Sequence, residues 1–463
     1  MQWRWVVVLA PGLLLYFAPV PGLSAQQSHL LAVFVATIVS LVVRPVPMGV
    51  SVVLAMTLLA VARILPPAKV LSGFSNATVW LIFAAFLFSR AVIATGFGMR
   101  LACMFVRQFG RSSLFVGYSL VAADVVLAPF VPSDTARGGG IIYPIARSLA
   151  RAFGSEPGKT AGRMGSFLML VGFHATYTAS GMFLTGMAAN PLIADFARTL
   201  GHVDLTWTRW ALAAFVPGLL SLVFVPLLIY RVNPPDVRET SAARELADRE
   251  LRAMGRVKRN EAWLIAILLG VMAGWVTSPW HGVPNAFVAL AGVSAILVVR
   301  VLQWSDLLAE VNAWDALIWF APLIMMTDAL NEAGVIEVLS SAALSHVQGW
   351  PWQAALALLA VLYFYVHYGF ASMTAHVTAL YPAFLAAALA SGAPPLMASL
   401  LLAFFSNLNA CLTHYGTGSA PVYFGAGYVT QGTWWKLGFL ISLLNLFLWL
   451  GVGPVWWKLT GSW

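Results

Sequence analysis

The apolar residues of this chain fall in long runs, not in the alternation of strands. Runs near the ~20 residues that a spanning helix needs cover 4–20, 28–43, 48–65 and 78–106. Two shorter runs follow, 113–131 and 138–153, separated by the polar tip Pro132-Ser133-Asp134-Thr135. An interrupted run at 164–194 and a continuous one at 208–231 complete the first half. After a charged stretch the scheme returns as 261–278, 283–302, 313–345, the pair 352–371 and 375–391, an interrupted 396–430, and 434–459. Without strand alternation a transmembrane barrel is excluded. The pattern predicts an all-α polytopic membrane protein.

Charge sharpens that reading. Only 9% of the 463 residues are charged, against about 25% in a soluble domain, and mean hydropathy is +0.84. Fourteen of the 43 charges sit between Arg231 and Glu261, which marks 232–260 as a linker with a short helix. The net charge of +9 comes without a basic patch interleaved with aromatics, so nucleic acid is not expected as a partner. Cys103 and Cys411 lie apart in apolar runs and fit neither a disulfide framework nor a zinc site. No HExxH, no GxSxG and no nucleophile–base pairing argues for an enzyme.

An internal repeat is visible. Ser133-Asp134-Thr135-Ala136-Arg137 with Tyr143-Pro144 returns as Ser372-Met373-Thr374-Ala375-His376 with Tyr381-Pro382, at an offset of 239 or 238. The offset of 238 also relates Gly96 to Gly334 and Tyr177 to Tyr415. We take 113–153 and 352–391 as re-entrant hairpins and place the N-terminus in the cytoplasm. Nineteen basic residues then lie inside and five outside, with Arg90 and Arg137 at membrane depth. The hairpins enter from opposite sides, so the repeats are inverted, as in many secondary transporters. Arg4, the first apolar core and Leu23-Ser24-Ala25 also fit a cleaved leader, although a retained first span is preferred.

The tips carry the candidate chemistry. Ser133, Thr135, Ser372 and Thr374 stand where a helix begins, so caps, free N–H groups and positive dipole ends meet at one midplane point. Such a point suits carboxylates. The small polar stretches Thr178-Ala179-Ser180-Gly181 and Gly416-Thr417-Gly418-Ser419 predict helix breaks that add hydroxyls from Thr178, Ser180, Thr417 and Ser419. Arg137 and His376 occupy equivalent places. One reading faces both toward a dianion, and the other pairs Arg137 with Asp134 and leaves His376 a neutral, hydrogen-bonded group. Gly138-Gly139-Gly140 reads as a packing surface, because no Lys-Ser/Thr follows it. Arg90, Asp124, Asp328 and Glu332 are further ionisable groups at membrane depth, without a helical partner that would argue for a relay. His367-Tyr368-Gly369 and His414-Tyr415-Gly416 repeat a tripeptide outside the 238 offset.

Pro132 to Gly140 and Thr413-His414-Tyr415-Gly416-Thr417-Gly418 resemble the divalent anion/sodium symporter (INDY-type) family. Within it they are most similar to the branch of bacterial citrate/succinate and tartrate/succinate antiporters and plastid 2-oxoglutarate/malate translocators. The resemblance covers nearly the whole chain. It implies about eleven spanning helices plus two opposed hairpins, an elevator-like transport domain and a scaffold that forms a homodimer. The family's twice-used Ser-Asn-Thr motif holds substrate and sodium, whereas this chain has Asp134 and Met373 in place of the asparagines. A thioether is a poor ligand for a hard cation. The second sodium site is therefore doubtful; at the first, near Ser133, Asp134 and Ser180, Asp134 either strengthens the site or is neutralised by Arg137. The preferred reading disfavours sodium and has fixed positive charge from Arg137, with His376, in its place, so that an empty carrier bears an uncompensated charge. No other cofactor is expected.

The domains expected are scaffold spans at 1–75, a first repeat core at 76–231, the cytoplasmic linker, scaffold spans at 261–312, and a second core at 313–463. The expected function is exchange of di- or tricarboxylates across a bacterial inner membrane, with a sodium-coupled symporter as the alternative.

Overall fold

The structure, a computed structural model, describes residues 2–18, 20–335, 338 and 351–461. Pro19 and most of the last third of the apolar run 313–345 lie outside the described residues. Among the described residues every regular element is helical. Helices α1 (Gln2–Phe17), α2 (Ala25–Val43) and α3 (Met48–Val61) open the chain. Ser24 and Gln27 cap α2 reciprocally. A Cβ at Gly12 of α1 would stand 2.9 Å from Ala36 Cβ, so the missing side chain is what lets α1 lie along α2.

The first repeat starts with α4 (Ala77–Thr95) and α5 (Phe97–Phe109). Its hairpin follows: α6 (Ser113–Leu127), then α7, which begins in wide π turns at Thr135–Ile142 and runs on as Tyr143–Ala152. Next are α8 (Gly165–Met182), α9 (Ala189–Gly201) and α10 (Trp207–Val232). The linker carries α11 (Ser241–Met254), followed by α12 (Arg259–Val276) and α13 (Asn285–Val298). The second repeat has α14 (Val311–Glu332), the hairpin arms α15 (Trp352–Val366) and α16 (Met373–Ala390), then α17 (Pro395–Leu408), α18 (Ala420–Gly425) and α19 (Gln431–Phe447).

Contacts at the hairpin bases show the inversion. At the base of the first hairpin, Ser113 Oγ donates to the Val237 carbonyl, and the Tyr428 hydroxyl donates to the Ser155 carbonyl at 3.2 Å. The base of the second lies at the other end, where Gly201 faces Ser399 and Leu389. The chain from α8 to α9 runs from the first base to the second, and the chain from α17 to Tyr428 runs back. Two antiparallel broken helices and two opposed hairpins follow. Gly96 and Gly334, related by the 238 offset, both end a helix in the left-handed region, at φ +74° and +75°.

Ten helices among the described residues are long and apolar enough to cross a membrane, hairpin arms 113–130, 352–369 and 373–390 among them. Length alone therefore does not separate a hairpin arm from a true span. The separation comes from where the tips meet.

At the centre lies α8, every residue of which is buried. It accepts its neighbours through small residues: a Cβ at Gly165 would stand 2.2 Å from Tyr428, and one at Gly172 would stand 3.0 Å from Tyr423. At the linker, Thr240 Oγ1 donates to the Gly110 carbonyl at 2.9 Å. Buried Arg100 of α5 pairs with Glu261 of α12 at 2.5 Å and donates to the Gly255 carbonyl at 2.9 Å. Removing one member leaves a buried charge alone. Arg100→Ala is expected to destabilise the protein by about 3–5 kcal/mol, read as a lowered melting temperature in detergent.

Candidate functional site

The two tips meet. Ser133 Oγ accepts from the Ala136 amide at 3.2 Å, and Ser372 Oγ accepts from the Ala375 amide at 3.4 Å, the same cap in both repeats. Together they line a cavity of about 260 Å³ that takes in Pro132 to Thr135 and Ser372 to Thr374. Thr417 and Gly418 join from the second helix break, with Met187 and Ala188 from the first. The opposite wall is Met48, Phe86, Asn312, Asp315 and Trp319. The first turns of α7 and α16 thus point their N-termini into one space. A Cβ at Gly418 would stand 2.2 Å from Thr135 Oγ1, so a glycine is required for the second break to pass the first tip.

Six of the residues expected at the site line this cavity: Ser133, Asp134, Thr135, Ser372, Thr374 and Thr417. Arg137, Thr178, Ser180, His376 and Ser419 are buried outside its wall. The first break is not at Thr178 to Gly181, which remain helical, but at 183–188. Thr178 Oγ1 donates to the His174 carbonyl at 2.8 Å within its own helix. The two breaks correspond at an offset of 230, pairing Gly186 with Gly416 and Pro191 with Pro421. Tyr177 and Tyr415 are accordingly not equivalent: one is inside α8 and the other within the second break. A hydroxyl-rich stretch inside a buried helix satisfies itself by bonding back to the preceding turn.

Arg137 has no exposed surface, and its guanidinium is held entirely by protein oxygens. Nε donates to Asp124 Oδ1 at 2.6 Å. Nη1 donates to the carbonyls of Val131 (2.7 Å) and Gly186 (3.1 Å). Nη2 donates to the Thr176 carbonyl (2.8 Å) and Ser180 Oγ (2.5 Å), with Asp134 Oδ1 3.7 Å away. All five N–H groups are spent, so Arg137 does not face the cavity. Its nearest carboxylate is Asp124, across the hairpin, and not Asp134 on the same helix. Thr176 Oγ1 donates to Asp124 Oδ2 at 2.7 Å. Ser180 Oγ and Thr417 Oγ1 donate to the two oxygens of Asp134, tying the first tip to both broken helices. Gly138 leaves room for Thr176, which a Cβ would approach to 2.6 Å, so the glycine run begins as a packing surface.

The equivalent space behind the second tip is built differently. His376 is buried, its Nε2 3.3 Å from Asn409 Nδ2, against the rings of Tyr363, His367 and Phe370. His367 Nε2 is 2.9 Å from the Gly416 carbonyl, and the Tyr415 hydroxyl donates to the Tyr368 carbonyl at 3.0 Å. The two His-Tyr-Gly tripeptides therefore pack on each other. His367 Nδ1, His376 Nδ1, Asn409 Oδ1 and Thr413 Oγ1 have no protein partner there. Elsewhere, Arg90 stands 3.9 Å from Asp306, Glu332 pairs with Lys69 at 2.7 Å, and Asp328 accepts from Thr199 at 3.2 Å.

Sequence reasoning missed the far wall. Asn312, Asp315 and Trp319 sit one turn apart on α14, a spacing that was legible. Their apolar surroundings make them read as part of a span, and only the fold turns them toward the tips.

The model of the sodium:sulfate symporter transmembrane region matches residues 1–463. The chain belongs to this family, the divalent anion/sodium symporters. The putative malate transporter YflS of Bacillus subtilis (strain 168) is 46% identical over 460 residues, covering 99% of this chain and 96% of its own. Dicarboxylate transporter 1, chloroplastic, of Arabidopsis thaliana is also 46% identical, with 98% and 82% covered. The L-tartrate/succinate antiporter of Shigella boydii serotype 4 (strain Sb227) is 34% identical over 98% of this chain and 97% of its own. The YdaH transporter of Alcanivorax borkumensis, described as having an unusual topology, shares the fold at a TM-score of 0.62 and 14% identity, with 99% and 98% covered.

For this family member the Arg137–Asp124 pair is the interaction to test. Arg137→Ala and Asp124→Ala are each expected to cost about 3–5 kcal/mol, because each strands a buried charge. The double variant should recover part of that loss, by about 0.5–3 kcal/mol of coupling, in the melting temperature of the purified protein. Additive losses would show that the two do not act as a pair.

Proposed function

We propose that this protein exchanges small di- and tricarboxylates, of the class of succinate, malate, 2-oxoglutarate, citrate or tartrate, across a bacterial inner membrane by alternating access. The observation that carries this reading is the convergence of two capped helix N-termini, from opposed hairpins, on one cavity. Each end supplies free amides and about half a positive charge. Hydroxyls of Thr135 and Thr374 complete a lining of donors that carboxylates can accept from. The printed functions of the malate, dicarboxylate and tartrate/succinate relatives support the substrate class.

Sodium is disfavoured at the first tip in this reading. Oxygens of Val131, Thr176, Ser180 and Gly186 there already accept from Arg137, a tethered cation, and the Asp134 carboxylate accepts from Ser180 and Thr417. At the second tip Met373 brings a thioether where the family places an amide. The transport cycle is therefore read as sodium-independent. Asp124 neutralises Arg137, so the charge that penalises an empty carrier is not an exposed guanidinium. It belongs to the helix ends: two unfilled N-termini bring about one positive charge and several unpaired amides to the moving site, and a bound dianion satisfies both. Exchange follows, because the loaded site crosses more easily than the empty one.

The 19-to-5 division of basic residues supports a cytoplasmic N-terminus. Apolar side chains exposed on α3 and α13, among them Leu54, Leu58 and Phe287, suit lipid or the second subunit of a homodimer. Proteoliposomes preloaded with succinate are expected to take up labelled succinate in sodium-free buffer, at a rate at least tenfold that of empty vesicles. Sodium-driven uptake into empty vesicles would instead establish the symporter.

A further inference from the structure

The cavity that receives the carboxylates has an unexpected electrostatic balance. Among the described residues no lysine, arginine or histidine lines it. Its ionisable groups are Asp134 and Asp315. Asp134 is backed by Arg137 and accepts from Ser180 and Thr417. Asp315, exposed where Asp134 is buried, has none of this. Its side chain takes part in no hydrogen bond or ion pair among the described residues, and its neighbour across the wall is Gly49 of α3, where a Cβ would lie 3.4 Å from Oδ1. Asn312, one turn earlier, is turned to Glu310, whose Oε1 accepts from it at 2.9 Å. The cavity wall contributed by α3 and the two tips carries Met48, Ser133, Ser372 and Thr374, all uncharged, and one further carboxylate, Asp134.

We propose that Asp315 is the proton-binding residue of this cavity, taking up a proton from solution when a dicarboxylate dianion binds. The argument rests on the function proposed above. A dianion held at the tips faces, across a cavity of about 260 Å³, a solvent-exposed carboxylate with no hydrogen-bonded partner or counter-charge. Like charges in such a space disfavour joint ionisation, and protonating the less supported group removes the conflict. Of the two acids, Asp134 accepts hydrogen bonds from Ser180 and Thr417 on its two oxygens, which favour its ionised form, while Asp315 accepts none, so the proton goes to Asp315. The neutral acid then offers an O–H donor to the substrate face, which a carboxylate cannot do. Because both partners of an exchange load through the same residue, each crossing carries the proton with the substrate. Affinity should therefore fall as pH rises, by up to tenfold per pH unit for one linked proton.

Calorimetric titration of the purified full chain with succinate, fully ionised above pH 7, tests this in two buffers of different ionisation enthalpy at pH 7.5–8. About one proton is expected to be taken up per succinate bound, falling toward zero in Asp315→Asn. Asp315→Glu should keep the uptake, and Asp315→Asn should also flatten the rise of KM with pH in exchange assays. Succinate binding without proton uptake in the wild type, or unchanged uptake in Asp315→Asn, would overturn the role of Asp315. Absence of succinate binding at every pH would overturn the carboxylate reading itself, and this inference with it.

Discussion

The arrangement of the site depends on one buried guanidinium. Arg137 reaches from the first turns of α7 to α6 through Asp124, to α8 through Thr176 and Ser180, and to the first break through Gly186. A charge without solvent is tolerated only where every donor finds an oxygen. That requirement makes three separately packed elements converge on one point and holds the first tip at a defined depth. The wide π winding of Thr135–Ile142 and the missing side chain at Gly138 belong to the same constraint, since α7 must pass Thr176 closely for the guanidinium to arrive.

The second repeat solves the same geometric problem without a permanent charge. Its tip is capped by the same serine bond, but His376 stands where Arg137 does, among aromatic rings and polar atoms with no protein partner. The pseudo-symmetry of the backbone is thus close, while the support behind the two tips differs: a saturated cage on one side and an unsaturated chamber on the other. Five guanidinium hydrogen bonds fix the first tip to its neighbours. An incompletely bonded chamber is more easily rearranged, because few specific bonds must break.

Electrostatics at membrane depth here is mostly internal. Arg100–Glu261 and Arg137–Asp124 match buried charges, and Lys69–Glu332 lies toward an exposed helix end. What is left to face the cavity is the partial charge of two helix ends and one unmatched acid, Asp315. A site built this way suits the proposed carboxylates without presenting a strong cation in its wall. It also explains why candidate residues chosen by charge and those that line the wall overlap only in part.

Much of this was legible in the sequence alone. Long apolar runs, clustered charge and a repeated Ser-x-Thr tip determine a polytopic helical protein with inverted hairpins, since the apolar length of a spanning helix and the distribution of lysine and arginine are properties of sequence. The 238 offset located Gly96 and Gly334 correctly, because a left-handed helix end favours glycine wherever it occurs. The breaks and the direction of each side chain were a different matter. Thr178 and Ser180 have the composition of a break yet stay helical: the Thr178 hydroxyl bonds back to its own helix, and the Ser180 hydroxyl is taken by Asp134 of the first tip. Arg137 and Asp124, thirteen residues apart, meet only because the hairpin folds back, and Asp315 reaches the tips only through the packing of α14. Local chemistry is written in the chain; which groups share a cavity is decided by close packing between distant segments, which no single segment encodes.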